Sequence, residues 1–279
     1  MKWTIAFDAG SDIRNFEPEL AANLELVPLT MVLNNKEVID DGTTSLEEFQ
    51  RMLDEEKGKT GTSCPSVGDW HSVMEKGDHV IAITISGAVS GSYQSASIAQ
   101  DMILDENPDK DIFVLDSVSG SGSMDFLVRK ALELIGQGCS FEEVCEGLRE
   151  YNEHAEIFFL LQNVDNIMSN GRLNPIIGKA VKALKLCMLG TVSEEGTMEV
   201  IAKLRTFGKT MDKAIAESIK RGCSGKNIII SHCLNPEGAE LMKKKLLVQY
   251  PDAHIEIQKT GLLCGYYAEK GGLIVALQD

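Results

Sequence analysis

Three loops of this chain carry hydroxyl groups densely enough to suggest chemistry. Thr62-Ser63-Cys64-Pro65-Ser66 precedes a helix expected from Val67. Ser86-Gly87-Ala88-Val89-Ser90-Gly91-Ser92-Tyr93-Gln94-Ser95-Ala96 spans a strand-to-helix junction, and Asp116-Ser117-Val118-Ser119-Gly120-Ser121-Gly122-Ser123 spans another. One hydroxyl at a helix start ordinarily caps it by accepting a backbone N–H. Two converging helix starts do more. They offer N–H groups, hydroxyl donors and positive dipole ends, which suits a carboxylate or a phosphate. No metal ligands and no basic partner for a nucleophile accompany these loops. The reading is a site that holds an anion. The alternative is a hydrolase or transferase that uses Ser90 as nucleophile on an acyl or phosphorylated substrate.

Other signatures fail on spacing. Gly58-Lys59-Thr60 and Gly208-Lys209-Thr210 resemble the tail of a phosphate-binding loop, but Leu53 and Lys203 stand where its first glycine belongs. Gly120-Ser121-Gly122 lacks the glycines two positions either side of serine that a nucleophile elbow requires. The five histidines (His71, His79, His154, His232 and His254) form no zinc pattern. The seven cysteines (Cys64, Cys139, Cys145, Cys187, Cys223, Cys233 and Cys264) include no CxxC pair, so no disulfide framework or metal site is indicated and a reducing compartment is expected. No catalytic residue, metal or cofactor is assigned.

The elements that must position the loops follow from periodicity. Residues 1–8 read as a strand. Residues 24–33 read as extended, with Pro28 arguing for an edge or irregular strand. A helix at 45–53 opens with a capping box between Ser45 and Glu48. Strands are expected at 79–85 and 111–115, and helices at 90–104, 121–135 and 141–151. Strand, helix, strand in succession implies parallel pairing with right-handed crossovers. The first half is therefore an open three-layer α/β domain with a mostly parallel sheet, and loops 8–11, 86–92 and 116–123 lie at the carboxyl ends where ligands bind. The pattern then becomes α+β. Strand 155–161, a short helix at 164–169, the turn Asn170-Gly171-Arg172 and a helix at 175–184 come first. A hairpin of 186–192 with 198–204 turns at Glu194-Glu195-Gly196. Helices at 206–220 and 236–250 alternate with strands at 227–231, 255–258 and 273–277. Two closely packed domains are expected, residues 1–153 and 154–279.

With 43% hydrophobic and 25% charged residues in 279, the chain has globular composition. Its net charge of −15 argues against nucleic-acid partners. No apolar run is long enough for a membrane span and no leader pattern opens the sequence, so a cytoplasmic protein is expected.

At the hydroxyl loops the sequence resembles the DegV family, bacterial proteins that bind fatty acids and present them to a separate kinase. Asp8-Ala9-Gly10-Ser11-Asp12-Ile13 is similar to the opening DSTxDL segment, with Ala9 and Gly10 in place of hydroxyl residues. Val27-Pro28-Leu29 and Asp41-Gly42 follow at the expected places. Thr62-Ser63-Cys64-Pro65-Ser66 matches TSxPS, and Ser90-Gly91-Ser92-Tyr93-Gln94-Ser95-Ala96 matches SGTYQSA with one change. Asp116-Ser117, Asn170-Gly171-Arg172 and Lys203-Leu204-Arg205-Thr206 resemble the family's DS, GGR and KxRT. The resemblance implies a long-chain fatty acid buried between the two domains and no catalysis by the chain itself. Thr62, Ser63, Ser90, Gly91 and Ser92 would form the carboxylate site, and Arg172 and Arg205 would face the kinase. The family's His-x-Gly-Pro-Gly segment is replaced here by Leu262-Leu263-Cys264-Gly265-Tyr266-Tyr267, where Tyr266 or Tyr267 would have to supply a hydroxyl. Burying about 14 methylenes would yield roughly 11 kcal/mol gross, against about 1 kcal/mol for each neutral hydrogen bond. The tail would set affinity and the hydroxyls orientation.

Overall fold

Strand ends fix two of the loops of interest, while the loop 62–66 closes on a capping box between Ser66 and Asp69. The structure is a computed structural model that describes residues 2–14, 23–34 and 36–279; Met1, at the head of the expected first strand, lies outside them. A four-stranded sheet has the order β2-β1-β6-β7, with β1 (Trp3–Asp8), β2 (Leu24–Val27), β6 (His79–Thr84) and β7 (Asp111–Asp116) all parallel. Both faces are buried, so its strands read as continuous apolar runs. Ala6, Val80 and Ala82 pack against Trp70 of α2 (Val67–Met74) and Ala96 and Ala99 of α3 (Ser92–Glu106). Ile5, Phe7, Ile81 and Ile83 face Met124 and Leu127 of α4 (Gly122–Gly136) and Val144 and Leu148 of α5 (Phe141–Glu153).

The other face of α4 meets a six-stranded sheet of order β10-β9-β8-β13-β11-β12. It comprises β8 (Ala155–Leu161), β9 (Cys187–Val192), β10 (Met198–Leu204), β11 (Asn227–His232), β12 (His254–Lys259) and β13 (Leu273–Gln278). Gly122 permits this contact: a Cβ there would lie 2.9 Å from Ile229 and 3.1 Å from Ala276. Only β11 and β12 pair in parallel, and β13 is inserted antiparallel between β8 and β11. Helices α8 (Phe207–Lys220) and α9 (Pro236–Gln249) cover the far face. The expected division at residue 153 falls in the one-residue turn between α5 and β8.

The extended run 24–33 divides in two. Pro28 separates β2, at the edge of the parallel sheet, from β3 (Thr30–Leu33), which belongs to a third sheet of order β4-β3-β5. Strands β4 (Lys36–Ile39) and β5 (Thr60–Ser63) were not expected. They are four residues long, and β4 has a single buried side chain, Val38, so neither carries an apolar alternation. This small sheet and α1 (Leu46–Glu55) turn Met31, Leu33 and Phe49 onto Ile157 and Leu161 of β8 and onto Leu262 and Tyr266 of α10 (Leu262–Ala268). Residues encoded early thus complete a core made largely by later ones. At α1 only half of the expected capping box forms. Ser45 accepts from the Glu48 N–H at 3.2 Å, while the Glu48 side chain is exposed and solvated.

Candidate functional site

The carboxyl ends of β1, β6 and β7 are tied together by two carboxylates. Asp8 accepts hydrogen bonds from the N–H groups of Gly10 (2.8 Å) and Ile85 (3.0 Å). Asp116 accepts from Gly87 (3.1 Å) and Val118 (2.8 Å). The Ser86 N–H donates to the Ser119 carbonyl at 2.9 Å. The loop after β6 is therefore braced from both sides before any ligand is considered. Asp8 is fully buried, and burial pushes its pKa up to about 6 against the lowering effects of the Ser92 hydroxyl and the Gly10 and Ile85 amides.

A cavity of about 320 Å³ opens beside these loops, within the size range of small-molecule sites. Its walls come from distant parts of the chain. Leu29, Ile85, Phe159, Leu161, Ile167 and Ile274 supply apolar surface. The hairpin of β9 and β10 contributes Val192, Gly196 and Met198. Ser86 donates from its Oγ to the Gly196 carbonyl at 2.8 Å, pinning the hairpin turn over the cavity. The polar lining comes from Thr62 and Ser63 at the end of β5 and Cys64 just after it, Ser86, Ser90 and Gly91 between β6 and α3, Ser119 and Ser121 before α4, Arg172, and Tyr267 of α10.

The expected residues separate as follows. Thr62, Ser63, Ser90 and Gly91 all line the cavity. Gly91 is the N-cap of α3 and has no side chain to offer, while Ser90 Oγ accepts from the Ser92 N–H at 3.4 Å. Ser92, in the first turn of α3, is buried and faces Asp8 instead of the cavity, because this face of the helix packs onto the parallel sheet. Ser121 does not cap α4 through its side chain; its hydroxyl donates to Asp12. Arg172, expected to face the kinase, lines the cavity. Its Nε donates to the Val89 carbonyl at 3.1 Å and its Nη1 to the Asn170 carbonyl. Arg205 is exposed just beyond β10. Among the described lining residues there is no histidine, so Ser90 has no imidazole beside it in the cavity. Among the described residues no three His, Cys, Asp or Glu side chains converge as metal ligands, and no helix is long and apolar enough to cross a membrane.

The tyrosine pair has a defined arrangement that the sequence left open. Tyr267 and Thr62 share a hydrogen bond of 2.8 Å between hydroxyls. Tyr266 points away into the core, bonded to Thr60 Oγ1 and Asn170 Nδ2, each at 2.8 Å. Burial raises the Tyr266 pKa. The N-terminus of α10 is anchored by carboxylates from the other end of the chain. Asp12 accepts from the Gly261 N–H (2.8 Å) and Asp40 from the Leu263 N–H (2.9 Å). Asp40 is itself paired with Arg14 at 2.8 Å. Asp12 is raised to about 6 by burial and by the neighbouring Asp125.

Comparison with known proteins agrees with this architecture over the whole length. The DegV family model matches residues 2–278. A DegV domain-containing protein of Streptococcus pyogenes serotype M3 is 36% identical over 279 residues, covering 100% of both chains. Among solved structures, the Streptococcus pneumoniae fatty acid kinase (Fak) B3 protein loaded with linoleic acid superposes with a TM-score of 0.95 at 34% identity, covering 100% of this chain and 99% of that one. A DegV family protein of Eubacterium eligens loaded with heptadecanoic acid gives 0.92 at 29% identity, covering 99% of each chain. A full-length family match and curated relatives above one-third identity place this chain in the DegV family.

Proposed function

We propose that the protein is a carrier of long-chain fatty acids. It holds the acyl tail in the cavity between an N-terminal unit, residues 1–153, and a C-terminal unit, residues 154–279. It presents the carboxylate at Thr62, Ser63, Ser90 and Gly91 to a separate fatty-acid kinase, without catalysing the transfer itself. The observation that carries this reading is the mixed lining of the cavity: apolar side chains from the six-stranded sheet and from residues flanking β3 and β6, together with a cluster of hydroxyls and one arginine. Such a lining rewards a ligand with a long hydrocarbon and one acceptor group. The tail contributes about 0.8 kcal/mol per buried methylene, and a hydrogen bond to a charged group contributes about 1.5–3 kcal/mol. The structure of a 34%-identical relative loaded with linoleic acid supports the same assignment.

The test is mass spectrometry of the purified protein under native conditions, followed by solvent extraction. A fatty acid that co-purifies non-covalently and is released by solvent is the expected result. A covalent adduct on Ser90 would instead establish the nucleophile reading. Absence of both co-purified lipid and palmitate binding in titration would end the carrier proposal.

A further inference from the structure

At the α10 end of the cavity, hydroxyl pairing taken together with the cavity lining singles out one tyrosine. Asn170 Nδ2 donates to the Asn166 carbonyl (2.9 Å), which fixes the orientation of the amide, and also to the Tyr266 oxygen (2.8 Å). Tyr266 is fully buried, and it shares a second hydrogen bond with Thr60 Oγ1. Neither Thr60 nor Tyr266 lines the cavity, so Tyr266 is a structural tyrosine. The neighbouring pair differs. Tyr267 and Thr62 hold two hydroxyl protons between them and share one hydrogen bond of 2.8 Å. Whichever oxygen donates, one proton is left over, and both residues line the cavity. The Tyr267 ring is held edge-on against Tyr266, with centroids 5.0 Å apart and planes at 75°. Two rotors linked in this way present a donor whose partner relays the polarisation, and such pairing strengthens a hydrogen bond to a charged acceptor.

We infer that Tyr267 is a head-group residue: its hydroxyl, coupled to Thr62, donates to the carboxylate of the bound acid and favours the ionised form. This rests on the carrier reading above.

The experiment compares wild type, Tyr267→Phe and Tyr266→Phe in complex with palmitate isotopically labelled at its carboxyl carbon, following the carboxyl resonance by NMR as pH is varied. Loss of one charge-assisted donor in Tyr267→Phe should raise the pKa of the bound acid by about one pH unit and weaken palmitate binding about tenfold at alkaline pH. That deficit should close as the bound acid is protonated. Tyr266→Phe should lower thermal stability and leave the carboxyl titration unchanged. A wild-type titration curve in Tyr267→Phe overturns the assignment while leaving the carrier reading intact. Failure of the wild type to bind palmitate at all defeats the carrier reading, and this one with it.

Discussion

Asp8 illustrates how a residue of the opening motif serves the site without touching it. Between pH 3.8 and about 6 the folded chain retains a proton on Asp8 that the unfolded chain has released, because burial disfavours the carboxylate. Its contribution to stability is therefore complete in acid and declines as pH rises through that window. The full change corresponds to about 3 kcal/mol. Asp8→Asn should remove this decline, so the wild-type minus variant difference in unfolding free energy should vary with pH there and be flat above it. A difference independent of pH, measured by denaturant titration, contradicts the burial argument. On the ligand side, Thr62→Ala and Ser90→Ala should each weaken palmitate binding by about 1–2 kcal/mol; unchanged affinity in both would remove the hydroxyls from the head-group site. The hydroxyls were legible because they sit in short contiguous motifs at strand-to-helix junctions. Ser92 shows the limit of that reading. Neighbours in a motif lie about 100° apart on a helix, so one faces the cavity and the next faces the core. Tyr267 carried only the signal of a phenol in a segment where the family has another polar group, and nothing in spacing distinguished it from Tyr266.

The loop after β6 and the β9–β10 hairpin meet through a single side-chain hydrogen bond, from Ser86 to Gly196. Gly196 has φ +80°, and a Cβ there would lie 2.3 Å from Ser86 Oγ. Gly196→Ala should cost about 1–2 kcal/mol from the left-handed backbone alone. It should also break the bond and hasten ligand release in stopped-flow displacement. Ser86→Ala should reproduce the faster release with less loss of thermal stability. If neither variant changes the release rate, the hairpin turn does not gate the cavity. Most elements were legible from periodicity, including this hairpin. The cavity walls were not, for a physical reason: β8 is apolar on both faces. Phe158 and Leu160 enter one core while Ile157 and Leu161 enter another, and alternation alone does not say which face meets a ligand. The three-stranded sheet escaped notice because β4 and β5 are short and largely exposed or half-buried. Its turn residue Asn34, with φ +54°, was the available signal.

For the molecule as a whole, the carrier proposal requires a face that a kinase can reach while the tail stays buried. Arg205 is exposed beyond β10, in a chain of net charge −15. Arg205→Ala should leave palmitate affinity unchanged and reduce acyl-phosphate formation by the partner kinase; an equal fall in both would assign the residue to ligand binding instead. The expected boundary at residue 153 coincides with a turn, but the small sheet encoded before it shares a core with α10 encoded far after it. The central strand of the six-stranded sheet has a further consequence. The two halves of that sheet, β10-β9-β8 and β11-β12, touch each other through β13, which is synthesised after both. Until residues 273–278 leave the ribosome, β8 and β11 each present an unpaired apolar edge, the condition that favours non-native strand pairing. The joining of the two halves of this sheet therefore waits on residues 273–278, whatever the order in which the other strands pair.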